Sequence, residues 1–179
     1  MIAFDVYLSQ MIAGAIPHNA FMDTFFSFFA LRGSLAYIWT LPVLYLFAYE
    51  EIHHHIFIWR MSITVLVSYI LFTTLKLVFA SPRPLFQAGT TIIHAQLSRA
   101  CPTDFSFPSG HATLAVGVAV VMAQTDKKRR VLYYISAFLI CLSRIYLQCH
   151  FVSDVAAGAL LGYVVGLGVC KIIKGKVIV

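Results

Sequence analysis

Along most of its length the chain repeats one device: apolar runs approaching the roughly 20 residues that a helix needs to cross the hydrocarbon of a bilayer. They fall at about residues 33 to 49, 61 to 80, 109 to 125, 131 to 148 and 153 to 173. Only 11% of the residues are charged, against about 25% in ordinary soluble domains, so the runs are read as membrane spans and not as buried core. An all-α, polytopic membrane helical bundle is therefore expected. Residues 1 to 30 are apolar too, but Asp5, the Pro17-His18-Asn19 break and Asp23 interrupt them. They form a sixth span or helices lying in the interface, which gives five or six transmembrane helices. The start has neither a basic stretch nor an Ala-x-Ala-like site, so it is not read as a removable signal peptide. With no internal repeat or low-complexity linker, residues 1-179 read as a single membrane domain.

Charge placement supplies an orientation. Lys127, Lys128, Arg129 and Arg130 cluster between two spans, Lys171, Lys174 and Lys176 follow the last one, and Arg60 precedes the second. These ends are expected to face the cytoplasm. The net charge of +6 reflects this topology and does not imply nucleic acid, because there is no soluble basic domain to hold it. Of the four cysteines, Cys141 and Cys170 sit in apolar spans as small core residues, while Cys101 and Cys149 lie toward the outer side, where a disulfide is permitted. None has metal-ligand spacing.

Three clusters break the charge rule at the opposite ends of the spans. In KLVFASPRP, Lys76 stands in the last turn of a helix, and Pro82 and Pro84 end that helix and hold Arg83 in extended backbone. In FPSGHATLAVGVAVV, a turn opens directly into an apolar helix, with Ser109 as cap and Gly110 for close backbone approach. Such a helix start presents free N–H groups and a positive dipole end, which favours an anion, with His111 in the first turn beside it. In SRIYLQCHFVSD, His150 and Asp154 are four apart and would share a face of one helix, the carboxylate fixing the imidazole tautomer. Arg144 precedes His150 by six residues, about 240° around an ideal helix, so a bend near Leu147 or a long side-chain reach is needed to bring them together. The bland alternatives are a snorkelling Lys76, a solvated Arg83 and an interfacial His150 satisfied by a capping aspartate. Taken alone, Lys76 and Arg83 fit the bland reading; against it for His150, ionisable groups at membrane depth are expensive and point to function by default.

Topology brings the three clusters to one face, because Lys76 and Arg144 end outward spans while His111 and His150 begin inward ones. Three cations, a helix N-terminus and two histidines make a phosphate pocket with an acid and a nucleophile. Arg83 and Arg144 suit bidentate grip on phosphate oxygens, and Lys76 adds a point charge. The seven acidic residues are scattered and form no cluster to hold magnesium, so the cations themselves must meet the phosphoryl charge.

Taken together, K-x6-RP at 76 to 84, PSGH at 108 to 111 and SR-x5-H-x3-D at 143 to 154 resemble the three signature motifs of the type 2 phosphatidic acid phosphatase superfamily. That superfamily also includes vanadium haloperoxidases and bacterial acid phosphatases. The resemblance implies that His150 is a nucleophile forming a phosphohistidine, Asp154 its orienting carboxylate and His111 the general acid. It further implies that Lys76, Arg83, Ser109, Gly110 and Arg144 bind phosphate, and that neither metal nor other cofactor is used. By the same resemblance the partner is a phosphorylated membrane lipid, undecaprenyl diphosphate foremost. Phosphatidylglycerophosphate, phosphatidic acid and lipid A stand behind it. The setting it implies is the bacterial cytoplasmic (inner) membrane, with the site facing the periplasm or exterior. The segment from Leu85 to Phe107, with His94, Arg99 and Asp104, is expected to help select the headgroup.

Other readings stay open. A noncatalytic membrane protein that binds or moves phosphorylated lipids would use the same cations but has no need of the His150–Asp154 pair and His111. Phosphotransfer would place a second hydroxyl where water attacks, and a vanadate-dependent peroxidase fits five apolar spans poorly. His53, His54 and His55 point to different faces of a helix and do not suit one metal ion. Beside Glu50 and Glu51, they read as a solvated cytoplasmic loop. Sequence leaves the oligomeric state open.

Overall fold

The computed structural model describes residues 2–30, 34–49, 54–84 and 101–174. Seven helices and no strand occur among them: α1 (Ile2–Ala15), α2 (Ala20–Ala30), α3 (Ser34–Tyr49), α4 (His54–Phe79), α5 (Gly110–Thr125), α6 (Arg130–Tyr146) and α7 (Val152–Ile172). Each of the five apolar runs lies largely within one of the helices α3 to α7. The Pro17-His18-Asn19 break separates α1 from α2, which at about 21 and 16 Å are each too short to cross the hydrocarbon alone.

Helix α5 is the axis of the bundle, packing against α4, α6 and α7. Its sequence, GHATLAVGVAVVMAQT, is small and apolar all the way round, so no face prefers lipid or water and Ala112, Ala115, Ala119, Val120 and Met122 are all fully buried. The surrounding helices bury one side and expose the other. Leu66 and Leu77 on α4, Phe138 on α6 and Leu160 and Val164 on α7 are more than half exposed, an apolar belt that a water-soluble surface would not carry. His55–Phe79 of α4 and Val152–Ile172 of α7 are long and apolar enough to span, and the protein is a membrane helical bundle.

The tightest contact is between α5 and α7, and glycine makes it possible. Gly158, Gly162 and Gly166 recur every fourth residue on α7, and a Cβ on each would stand 2.5 Å from the Ser109 carbonyl, 2.1 Å from the Thr113 carbonyl and 2.8 Å from the Gly117 carbonyl. Without side chains there, the two backbones touch over two turns, the small-residue packing that holds membrane helices together where lipid offers no hydrophobic drive.

The opposite end of the bundle is closed by polar contacts. Arg60 is no free loop charge: it is buried, and its Nε and Nη2 donate to the Ile173 carbonyl at 3.1 and 2.8 Å, capping the end of α7. Asp126, between α5 and α6, accepts from the backbone N–H groups of Lys128 and Arg129, from Arg129 Nη1 at 2.8 Å and from Tyr133 Oη at 2.7 Å. Burial would raise its carboxyl, but these bonds and the Arg129 charge outweigh that and hold it below the usual range.

Replacing Gly162 with alanine forces α5 and α7 apart, because the obstacle is backbone and cannot rotate away. A loss of about 1–3 kcal/mol is expected, read as a lower thermal unfolding midpoint in detergent, whereas Gly168→Ala, with open space at its Cβ position, leaves the midpoint unchanged.

Candidate active site

Four helix ends meet at the other face. α4 stops at Phe79, and Ala80, at φ 44°, turns the chain into the Ser81-Pro82-Arg83 segment. α6 stops at Tyr146, and Gln148, at φ 55°, bends it through Cys149 and His150 before α7 begins at Val152. These are the non-glycine residues with left-handed backbone among those described, and both lie beside the site, where such local strain is held by the surrounding structure. The bend expected near Leu147 is present. Two backbone bonds tie the segments: Ser106 N–H to the Ser81 carbonyl at 2.8 Å and Ser109 N–H to the Asp154 carbonyl at 3.0 Å.

His150 and Asp154 come together, though not as neighbours on one helix. His150 precedes α7, while Asp154 sits in its first turn and folds back to accept the Phe151 N–H at 2.9 Å. The carboxylate Oδ2 is 3.6 Å from His150 Nδ1. On the other side of the ring, Nε2 accepts from Arg83 Nη1 at 3.1 Å. Burial first, then the charges of Arg83, Arg144 and Lys76, hold the imidazole well below its ordinary pKa, so it is neutral with a lone pair on Nε2.

Arg83 is buried, and all of its N–H donors have protein acceptors. Nε donates to the Asp104 carbonyl at 2.8 Å, Nη1 to the Cys149 carbonyl at 2.7 Å and to His150, and Nη2 to Asp104 Oδ1 at 2.5 Å and the Phe105 carbonyl at 3.4 Å. Lys76 is neither snorkelling nor solvated: its Nζ donates to Asp104 Oδ2 at 2.7 Å and to the Phe105 carbonyl. One carboxylate thus bridges two of the three expected cations. Burial would raise Asp104, but the bonds from Lys76 and Arg83 and their charges overcome this and hold its carboxyl below the ordinary range. Its side chain is 52% exposed, so it reaches this bridge from the open side.

The third cation is different. Arg144 is fully buried, and its Nη1 donates to the Ala30 carbonyl at 3.2 Å, yet Nε and Nη2 have no acceptor among the described residues. Ser109 occupies the cap position of α5 in extended backbone, but its buried hydroxyl makes no capping bond and is likewise without a partner. Gly110 packs closely on the Phe72 ring, which would have to shift for a Cβ that stood 2.9 Å from it. His111, in the first turn, lies within electrostatic range of Arg144, His150, Arg83 and Lys76. Buried donors without acceptors among the described residues, near a helix N-terminus and a neutral imidazole, have the chemistry that suits an oxyanion.

Cys101 and Cys149 form a disulfide, with Cα atoms 5.3 Å apart. Among the described residues no three His, Cys, Asp or Glu side chains gather as a metal-ligand set. His94, Arg99, Glu50, Glu51 and His53 lie outside the described residues. Sequence reading named Asp104 only as a headgroup contact and passed over Ser106, whose hydroxyl donates to Asp154 Oδ2 at 2.5 Å. The available signal was position alone, both standing within five residues of Ser109.

The sequence model of the PAP2 superfamily matches residues 57–177. Undecaprenyl-diphosphatase of Sulfolobus acidocaldarius is 34% identical over 109 residues, covering 58% of this chain and 50% of that protein. The chain thus spans half the length of that relative. Undecaprenyl-diphosphatase BcrC of Bacillus subtilis is 28% identical over 88% of this chain and 78% of its own length. Among solved structures, LpxE of Aquifex aeolicus superposes with a TM-score of 0.74 at 28% identity, covering 92% of this chain and 93% of that one. A transmembrane PAP2-type phosphatidylglycerolphosphate phosphatase of Bacillus subtilis shares the fold with a TM-score of 0.68 at 22% identity, covering 95% and 84%. With its three motifs folded into one site and the family match running through all of them, this chain belongs to the PAP2 superfamily.

Proposed function

We propose that the chain is an integral membrane lipid phosphatase of one domain. It hydrolyses a phosphorylated headgroup through a phosphohistidine on His150, with undecaprenyl diphosphate as its substrate. The observation that carries this reading is the pair of unsatisfied Arg144 donors and the unpartnered Ser109 hydroxyl, buried beside a neutral His150. Orphaned donors of this kind destabilise the empty protein and are satisfied by an oxyanion.

His150 Nε2 attacks phosphorus, and the bond to the leaving oxygen breaks as His111 gives that oxygen a proton. Water then attacks the phosphohistidine while His111 takes a proton back. Charge on the phosphoryl oxygens is met by Arg144, Lys76, Arg83 and the N–H groups opening α5. Because Arg83 has no free donor while Asp104 is bound, phosphate takes the place of the Asp104 carboxylate, exchanging one anion for another between Lys76 and Arg83.

Lipid character is supported by an apolar cavity of about 340 Å³ between α3, α4 and α5, lined by Trp39, Val43, Met61, Val65, Leu114 and Val118. Leu114 lies one turn along α5 from His111, so a long chain can run from the headgroup site into the bundle. The two relatives named undecaprenyl-diphosphatase support that substrate. A cytoplasmic membrane location with the site outside is supported by the disulfide beside His150, which suits an oxidising compartment, and by Lys127 and Lys128 in the loop at the opposite end, with Arg130 opening α6.

Phosphate release by the purified protein in detergent with a chelator present, compared on undecaprenyl diphosphate, phosphatidylglycerophosphate, phosphatidic acid and lipid A, tests the reading. Undecaprenyl diphosphate should be preferred, and His150→Ala should abolish turnover while sparing expression. Wild-type release no greater than that of the variant would refute it. Arg144→Lys, which removes the planar fork, should lower kcat/KM by roughly tenfold to a hundredfold, and near-normal kinetics would show that Arg144 does not hold phosphate. Asp104→Asn should tighten inhibition by inorganic phosphate several-fold. It should also flatten the acid limb of stability. With its folded pKa depressed, the Asp104 carboxylate contributes stability above about pH 4, lost as pH falls through the folded value, so melting midpoints measured from pH 3 to 7 separate the two chains.

A further inference from the structure

The gap between Asp154 and His150 is too long for a direct hydrogen bond, at 3.6 Å between Oδ2 and Nδ1. Ser106 connects them. Its hydroxyl is 2.5 Å from Asp154 Oδ2 and 3.3 Å from His150 Nδ1. The residue is fully buried, and its backbone N–H is anchored on the Ser81 carbonyl, two residues before Arg83.

The hydrogens can be assigned from donor and acceptor chemistry alone. Arg83 Nη1 can only donate, so Nε2 of His150 accepts from it and Nδ1 carries the ring proton. Asp154 Oδ2, a carboxylate oxygen, can only accept, so Ser106 gives its hydrogen to it. The serine oxygen is then left to accept the Nδ1–H of His150. The chain runs in one direction, from Arg83 through His150 and Ser106 to Asp154. The far end is fixed by the Phe151 N–H on the same carboxylate oxygen.

We propose that Ser106 is a positioning residue for the reaction, the hydroxyl that couples Asp154 to His150 and holds the imidazole with Nε2 presented to phosphorus. This inference rests on the reading of His150 as nucleophile. When Nε2 bonds to phosphorus, the ring keeps its Nδ1 proton and becomes cationic, and the serine carries the stabilising influence of the carboxylate to it. Ser106 neither gains nor loses a proton over the cycle. The bonds made and broken are those between phosphorus and the leaving oxygen, Nε2 and water, with His111 carrying the proton.

The test compares wild type, Ser106→Ala, Ser106→Thr and His150→Ala, purified in detergent and given a radiolabelled diphosphate lipid. Acid-labile, base-stable phosphoprotein, kcat, KM and the pH profile are the readouts. Ser106→Ala should slow phosphoprotein formation and kcat by roughly tenfold to a hundredfold with KM within about twofold. Its acid limb should move to lower pH, because an imidazole without its Nδ1 acceptor is less basic. Ser106→Thr, which keeps the hydroxyl, should recover most of the rate. Ser106→Ala at wild-type rate, or Thr as impaired as Ala, overturns the inference. Phosphoprotein absent from wild type, or present in His150→Ala, overturns instead the assignment of His150, and the role of Ser106 with it.

Discussion

Everything at the polar end of this bundle depends on how closely α5 and α7 approach. Gly158 faces the carbonyl of Ser109 and Gly162 that of Thr113, so the first turn of α5 is fixed by backbone contact against the stretch of α7 that follows its own first turn. The first turn of α5 carries His111, and that of α7 carries Asp154. Their separation is therefore set by the radius of a helix and not by side-chain packing, which would leave more play. The bond from Ser109 N–H to the Asp154 carbonyl adds a direction to that contact.

Within this frame the chain gathers more positive than negative charge into a low-dielectric region. Lys76, Arg83 and Arg144 are all buried, and among the described residues the acidic groups paired with this cluster are Asp104 and Asp154. Burial of unpaired charge is costly, and the structure meets the cost unevenly. Asp104 and the carbonyls of Phe105 and Cys149 satisfy Lys76 and Arg83, whereas Arg144 keeps two nitrogens without an acceptor among the described residues.

The helices and the meeting of the three motifs were legible in the sequence, because a span of apolar residues has one plausible conformation in lipid and alternate spans must return to the same face. The bend at Leu147 was legible as one of two ways for Arg144 and His150 to converge, the other being a long side-chain reach. What was not legible depended on tertiary return. Whether Lys76 meets solvent and how Asp154 reaches His150 are both decided by where residues 104 to 106 fold. Nothing local in TDFSF fixes that. The glycine spacing on α7 was visible, but which helix it would meet was not. Arg60 illustrates the same limit: its place early in an apolar run could be read, yet its acceptor is a carbonyl 113 residues away.

The Cys101–Cys149 disulfide closes a ring of chain that contains both α5 and α6 and ends one residue before His150. A ring of this size withholds conformational freedom from the unfolded chain, about 4 kcal/mol in the chain-entropy account. It also means that α5 and α6 leave or join the bundle as one looped unit whose two ends stay at the polar face. His111 and Arg144, carried on different helices, thus share a single covalent tether, and a chain that has lost its packing still keeps the parts of its anion receptor within reach of one another.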